Sequence, residues 1–428
     1  MTAVVSFAAL FLSIFLVQLG SGSLGPLDAL AGSARGFTTG EIGLMGSAHF
    51  LGFFVGCYLT PRYIGQIGHS RAFAVAAAVG AMGALLHPVL EGPLYWAGLR
   101  MMTGMAIAGA YTVIESWLQA KVENANRARV YSSFRVVDLI GQIAAQGLIA
   151  VLDPTSYAAY NIVAVFCCLC LLPLTLSRSV PPLTPTAPRL RPMKAARLSP
   201  SACFGVVIAG VTGSAFRMVG PVYALETGLS PGEIAIFLAA PLLGGIAAQY
   251  PVGWVADMMD RRFVLIGISF AAIACCLGTA WLMDPEARAG LYLAAFLFGA
   301  TSYPVFSISA AYANDFAPPD FVVELNAALI FFFSVGAMLS PILAAVLIDA
   351  YGPPALWLFV AAAHLALILF ALYRLGRRGA FSPVQPYAYV PRTSMVLGRL
   401  FRSAPGETDP TPDPRAAPTD APQTETPR

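Results

Sequence analysis

The sequence predicts an all-α membrane protein with twelve transmembrane helices in two pseudo-symmetric bundles of six. Composition is the first reason. Hydrophobic residues make up 57% of the 428 residues and charged residues only 11%, against about 25% charged in soluble domains. The second reason is a series of twelve apolar runs, each close to the roughly 20 residues that a spanning helix needs. The third is an internal repeat that relates the first six runs to the last six.

The runs fall at about 4–31, 40–61, 72–91, 93–118, 129–152, 156–177, 201–225, 233–256, 263–283, 290–313, 324–348 and 354–375. The first lacks a basic leader and a cleavage site, so it reads as a retained membrane helix and not a signal peptide. Basic residues set the orientation. With the N-terminus inside, the inner loops hold Arg62, Arg71, Lys121, Arg127, Arg129, Arg261 and Arg262, and Arg374, Arg377 and Arg378 follow the last run. The outer loops hold Arg35 and Arg288. This asymmetry predicts both termini in the cytoplasm of a bacterium, with the chain in the inner membrane. One inner loop, with Asp315, Asp320 and Glu324, has no basic neighbour in sequence and needs pairing from elsewhere.

Four segments result: an N-terminal bundle (1–177), a cytoplasmic linker (178–200), a C-terminal bundle (201–378) and a tail (379–428). The linker is rich in proline and basic residues and has no acid. It is expected to be extended and to lie against anionic lipid. The proline-rich tail is expected to be disordered. All seven cysteines lie in apolar runs, which argues against disulfides, and Cys167, Cys168 and Cys170 have no nearby histidine to complete a metal site.

The repeat has an almost constant offset. GPLDAL at Gly25–Leu30 returns as GPVYAL at Gly220–Leu225, 195 residues on. GEI at Gly40–Ile42 returns at Gly232–Ile234 after 192, Gly56 answers Gly253 after 197, and Asp153 and Arg178 answer Asp349 and Arg374 after 196. Parallel six-helix repeats of this kind build one large class of carriers.

Between the eighth and ninth runs lies PVGWVADMMDRR, Pro251–Arg262. A glycine allows two helices to approach closely, and an aspartate and two arginines close the turn. The stretch resembles the loop signature of the major facilitator superfamily, Gly-x-x-x-Asp-Arg-x-Gly-Arg-Arg, with Gly253, Asp257, Arg261 and Arg262 on its glycine, aspartate and paired basic positions. Met258 and Asp260 depart from it. The first repeat departs further, since Thr60 stands where the aspartate belongs. Arg100–Gly104 resembles the Arg-x-x-x-Gly motif of the fourth helix, and no antiporter signature occurs in 138–147. Tyr303–Asp315 and Glu115–Leu118 resemble a bacterial branch, the YcaD-like proteins. The resemblance covers residues 1–378 and implies a secondary transporter, with the Pro251–Arg262 turn as a gating loop.

Ionisable groups inside a membrane cost about 2.5–3.5 kcal/mol each at a helix centre, so they should face a cavity or a partner. The substrate and coupling candidates are Arg100, Arg135, Asp138, Arg217, Gln18, Gln142, Tyr111 and Tyr303. Arg135 and Asp138 share a helix face at i,i+3, either as a self-neutralising structural pair or as a coupling pair. Arg217 has no acid on its own run, so its partner is another helix or an anionic substrate. Arg100 and Arg217 together favour an anionic or zwitterionic compound, with an apolar compound held by aromatic rings as the alternative. Gln18, Gln142 and Gln146 suit a polar path or interhelical glue, and Tyr111 and Tyr303 suit a cavity wall or core packing. Asp28, Glu115 and His49 are secondary candidates: Asp28 as a solvated helix end or a proton site, Glu115 as a partner of Arg127 or Arg129, and His49 as a titrating or a structural ring. His364 is expected away from the cavity.

No phosphate-binding loop is present, so ATP hydrolysis within this chain is excluded. The sparse charges lie on different runs and no soluble segment is large enough for a catalytic domain, which argues against an enzyme. A net charge of +3 is too small to indicate nucleic acid. The leading reading is a monomeric carrier of a small solute, coupled to protons and without cofactor or metal. A receptor or assembly factor on a carrier scaffold is the alternative.

Overall fold

The structure, a computed structural model, describes residues 7–122, 127–176, 190–282, 287–318 and 321–375. Among these are fifteen α-helices and no strand. Helices α1 (Ala8–Ala34), α2 (Thr39–Ile67), α3 (His69–Leu86), α4 (Pro93–Lys121), α5 (Arg127–Ile149) and the broken pair α6 and α7 (Tyr157–Leu169, Leu171–Leu176) form the first six passes. A short α8 (Pro192–Leu198) follows. The second six are α9 (Pro200–Glu226), α10 (Pro231–Met258), α11 (Arg261–Leu282), the pair α12 and α13 (Arg288–Ser302, Pro304–Asn314), α14 (Val322–Tyr351) and α15 (Ala355–Leu375).

Ten of these passes are long and apolar enough to cross a membrane by length and composition. The other two are α4 and α5, with 29 and 23 residues. Their length suffices, and their lower apolarity comes from Arg100, Glu115, Arg135, Asp138 and the glutamines of α5. The two passes that least resemble membrane helices therefore carry most of the polar candidates.

The repeat seen in sequence has a structural cause. Both GEI motifs supply the glutamate of a capping box. Thr38 accepts from the Glu41 amide while Glu41 accepts from the Thr38 amide, and Ser230 and Glu233 do the same for α10. Each box satisfies amides that the first turn of a helix leaves unpaired. Pro26 and Pro221, in GPLDAL and GPVYAL, both lie inside long helices.

A second signature of duplication is backbone approach. A Cβ at Gly52 of α2 would fall 1.9 Å from the Met101 carbonyl oxygen of α4, and one at Gly104 would fall 2.0 Å from that of His49. In the other half, Gly244 of α10 and Gly299 of α12 repeat this against Phe296 at 1.9 Å and Pro241 at 2.0 Å. Two helices at this separation pack main chain to main chain, which only glycine permits.

The halves meet along α2–α14, α9–α1, α9–α2 and α5–α10. We call the end where α1 begins and α15 stops the terminal end, and the other the far end. At the far end, the Gly40 amide donates to Asp349 Oδ2 at 2.8 Å, and Thr39 Oγ1 donates to Glu226 at 3.5 Å. Below them the Ile342 amide reaches Ser47, and Gly43 and Gly46 pack on Ala345, Pro341 and Met218. The Phe54–Phe331 edge contact, near the middle of α2, lies deepest of these.

The linker differs from the expected extended chain in its last part. Residues Pro192–Leu198 are helical, with Pro192 at the start, where a proline costs no hydrogen bond. Arg191 pairs with Glu324 at 3.4 Å and Lys194 lies 3.9 Å from the Phe321 ring centre. Residues 178–189 of the linker, Asp320 and the tail beyond 375 lie outside the described residues.

Candidate functional site

Of the eight substrate and coupling candidates, four converge on a fifth, the carboxylate of Asp138. Asp138 on α5 has a side chain only 1% exposed. Its Oδ1 accepts from Gln18 Nε2 of α1 at 2.6 Å and from the Tyr111 hydroxyl of α4 at 2.5 Å. Its Oδ2 accepts from Arg135 and, at 3.1 Å, from Gln142, both on α5. Gln18 also donates to the Tyr111 oxygen. Helical spacing brings Arg135 and Gln142 to the acid, at i−3 and i+4. Gln18 arrives because Gly141 lets α1 close on α5, where a Cβ would stand 2.9 Å from the Gln18 Cβ. The Arg135 side chain remains 34% exposed, so the pair has one buried partner and one partner open to solvent.

A second buried cluster surrounds Asp28, which is itself 2% exposed. Arg100 Nε lies 3.4 Å from Asp28 Oδ2, His87 Nε2 lies 3.4 Å from the same oxygen, and the Tyr160 hydroxyl donates to Oδ1 at 3.0 Å. The His87 ring stacks on Tyr160, and Trp96 stands edge-on to both. Of the two readings of Asp28, the solvated helix end is therefore corrected: the acid is buried and Arg100 is its ion-pair partner. Asp28 looks like a helix end in sequence because a loop follows six residues later, yet α3, α4 and α6 close over it. His87 and Tyr160 were missed. The sequence signal available was the acid itself, whose position inside an apolar run demanded donors.

Arg217 lies in α9 and is exposed, while Phe216 and Met218 beside it are buried. It makes no hydrogen bond or ion pair with any described residue. It lies within electrostatic range of His49, Arg100 and Tyr111 of the opposite half. His49 is buried and its ring bonds to the Arg100 main chain, with Nδ1 unpartnered. Tyr303 is not in this group. It precedes Pro304 at the break between α12 and α13, where its ring packs edge-on against Phe298 and would meet a Cβ at Gly245. Glu115 is buried near the terminal end of α4, and the Arg127 and Arg129 side chains lie outside the described residues. His364 donates to or accepts from Ser302 at 2.9 Å inside the second half. Among the described residues no group of three or more metal-ligating side chains is assembled.

At the terminal end the gating-loop residues form one network. Arg261, 3% exposed, reaches Asp257 at 3.2 Å and Asp315 at 2.5 Å, so it ties α10, α11 and the end of α13 together. Arg262 chelates Asp260 through Nε and Nη2 at 3.0 and 2.6 Å. Asp315 and Glu324 thus have basic partners, Arg261 and Arg191, which sequence adjacency did not reveal. Partial burial works against the charge of Asp260, but the bonds from Arg262 outweigh it and hold that carboxyl below its usual range. Asp315 goes the other way. Burial pushes it up to about 6, with Arg261 opposing and Asp257 and Asp260 adding to the rise. The folded state therefore holds this proton more tightly than the unfolded chain. Its contribution to stability is complete below the ordinary carboxyl value and is lost as pH rises through about 6. The melting temperature of the wild type minus that of Asp315→Asn is expected to fall between about pH 4 and 7. A flat or rising difference would mean that Arg261 keeps the carboxylate charged throughout.

Two helical bundles meet around a buried polar centre. Residues 202–405 match the Major Facilitator Superfamily profile. An uncharacterized MFS-type transporter of Enterobacter sp. strain 638 is 26% identical over 373 residues, spanning 86% of this chain and 95% of that protein. The MFS-type transporter YcaD of Escherichia fergusonii is 25% identical over 382 residues, spanning 88% and 96%. Among solved structures, the nucleoside transporter NupG superposes with a TM-score of 0.72 at 14% identity, covering 86% of this chain and 98% of that one. A bacterial homologue of the lysosomal transporter Spinster, in an inward-facing and unoccupied conformation, gives 0.68 at 13%, covering 87% and 95%. Residues 202–405 thus match the Major Facilitator Superfamily profile, and over most of its length the chain is similar in sequence to the MFS-type transporters named YcaD.

Proposed function

We propose that this protein is a proton-coupled secondary transporter that moves a small solute across a bacterial inner membrane by alternating access. The observation that carries the reading is the Asp138 centre: a buried acid held by donors from three helices, one of them the partly exposed Arg135. A carboxylate whose hydrogen bonds come from separate helices changes its hold on a proton when those helices move. The two moving bodies are residues 1–177 and 201–378, joined by the 178–200 linker, with 379–428 as a tail. Superfamily relatives named as transporters support the coarser part of this reading.

The arginine asymmetry supports a cytoplasmic terminal end. The seam at Gly40–Asp349 and Thr39–Glu226 then lies on the outer side, and the described conformation opens inward. Orientation is tested with single cysteines in a cysteine-free background. A membrane-impermeant thiol reagent applied to intact spheroplasts is expected to label Glu91→Cys and to spare Gly65→Cys, both exposed positions. The reverse pattern inverts the topology. Function is tested in proteoliposomes, where an imposed pH gradient is expected to drive solute accumulation that an uncoupler abolishes.

A further inference from the structure

We infer that the solute is a small organic monoanion whose carboxylate is held by Arg217. The inference deepens the transport reading and rests on it. Between Ser201 and Ala224, α9 is exposed at Arg217 alone. A helix facing lipid shows an exposed stripe along its length. One exposed residue between buried neighbours on a central helix instead faces an interior space. Arg217 is thus an exposed guanidinium in the middle of the protein, within electrostatic range of His49, Arg100 and Tyr111 of the opposite half.

No acid near it is available to it. Asp138 has both oxygens occupied, Oδ1 by Gln18 and Tyr111 and Oδ2 by Arg135 and Gln142. Asp28 is bonded by Tyr160 and flanked by Arg100 and His87. Each acid is therefore matched by its own arginine, Asp138 by Arg135 and Asp28 by Arg100. The charge left over at the centre is the single positive charge of Arg217. Keeping an uncompensated cation at a helix centre costs energy, and a solute of one negative charge removes that cost. A guanidinium offers a planar fork that matches a carboxylate in two parallel hydrogen bonds, which an ammonium does not. A dianion overshoots this balance, and a cation meets the same field that acts on His49 and Arg100.

Three acid–amide pairs test the inference on the purified full-length protein: lactate and lactamide, benzoate and benzamide, nicotinate and nicotinamide. Each pair differs at the carboxyl group alone. At saturation, at least one acid is expected to raise the melting temperature by about 2 °C or more over its amide. That preference is expected to vanish in Arg217→Gln and to survive, weakened, in Arg217→Lys, which keeps the charge and loses the fork. The lysine variant keeps the test decisive if the glutamine variant does not fold. Equal shifts from acid and amide, no shift from any acid, or an acid preference that persists without Arg217 each overturn the inference. The transport reading falls separately, if pH-driven accumulation in proteoliposomes is absent.

Discussion

Replacing Asp138 by asparagine is expected to abolish uphill accumulation and to leave solute exchange within a few-fold of the wild type. A pH difference of one unit is worth about 1.4 kcal/mol per proton, enough for tenfold accumulation when one proton moves with each solute. A carrier collects that energy through a group that takes a proton facing one side and releases it facing the other. Asp138 is suited to this because its donors belong to α1, α4 and α5. A shift of α1 or α4 against α5 changes which donors reach the carboxylate. Asparagine keeps the size and one acceptor but cannot carry the proton. The variant should therefore bring solute to equal concentrations inside and out, and no further. The Arg135 side chain is a third exposed, so losing its partner does not leave a fully buried charge. Accumulation that persists in Asp138→Asn makes the acid a structural partner of Arg135 and moves the coupling site to Asp28, Glu115 or His49.

The largest loss of stability is expected from Gly52→Ala. The added methyl meets the Met101 carbonyl 1.9 Å away, and neither main chain can rotate out of the contact as a side chain could. The α2–α4 pair must separate, at about 3 kcal/mol or more for an overpacked contact of this kind. Gly244→Ala is expected to cost as much, because Gly244 repeats the contact against Phe296. Gly65→Ala serves as the control. It lies on the same helix with nothing within 4 Å of its Cβ position, and should be neutral or stabilising by up to about 1 kcal/mol. Melting temperature and monodisperse yield in detergent measure all three. Equal behaviour of Gly52→Ala and Gly65→Ala would show that the helix pair is looser than described.

What the sequence made legible was whatever repeats or lies within one helical turn. The two GEI motifs could be matched before their capping role was visible, and the runs they open are α2 and α10. Arg135 and Asp138 were legible as a pair because three residues separate them on one helix. The contacts that complete the site were not. Tyr160 reaches Asp28 across 132 positions and Gln18 reaches Asp138 across 120. Nothing local distinguishes these residues from other polar groups in apolar runs, since burial in a bundle depends on which helices become neighbours. The partner of Arg100 was hidden for the same reason. The Arg100 motif pointed to function, but the partner sits on α1. The helical end of the linker was hidden by the prolines around it, although Pro192 itself begins the helix.

The far-end seam bears on turnover. Along α2, glycines at positions 40, 43 and 46 face the other half, mostly α14, so parting the seam bares few methyl groups to water and costs little by area. The polar fastenings are an exposed amide–carboxylate bond, a hydroxyl–carboxylate contact and the Ile342 amide to the Ser47 hydroxyl, and water replaces each at a net cost of about 1 kcal/mol. Asp153, the first-half counterpart of Asp349, instead bonds Thr155 in its own turn. A closure built from small residues on one flank resembles a clasp more than a weld. The two end states can then lie close in free energy, and a single bound solute or proton suffices to tip the balance between them on each cycle.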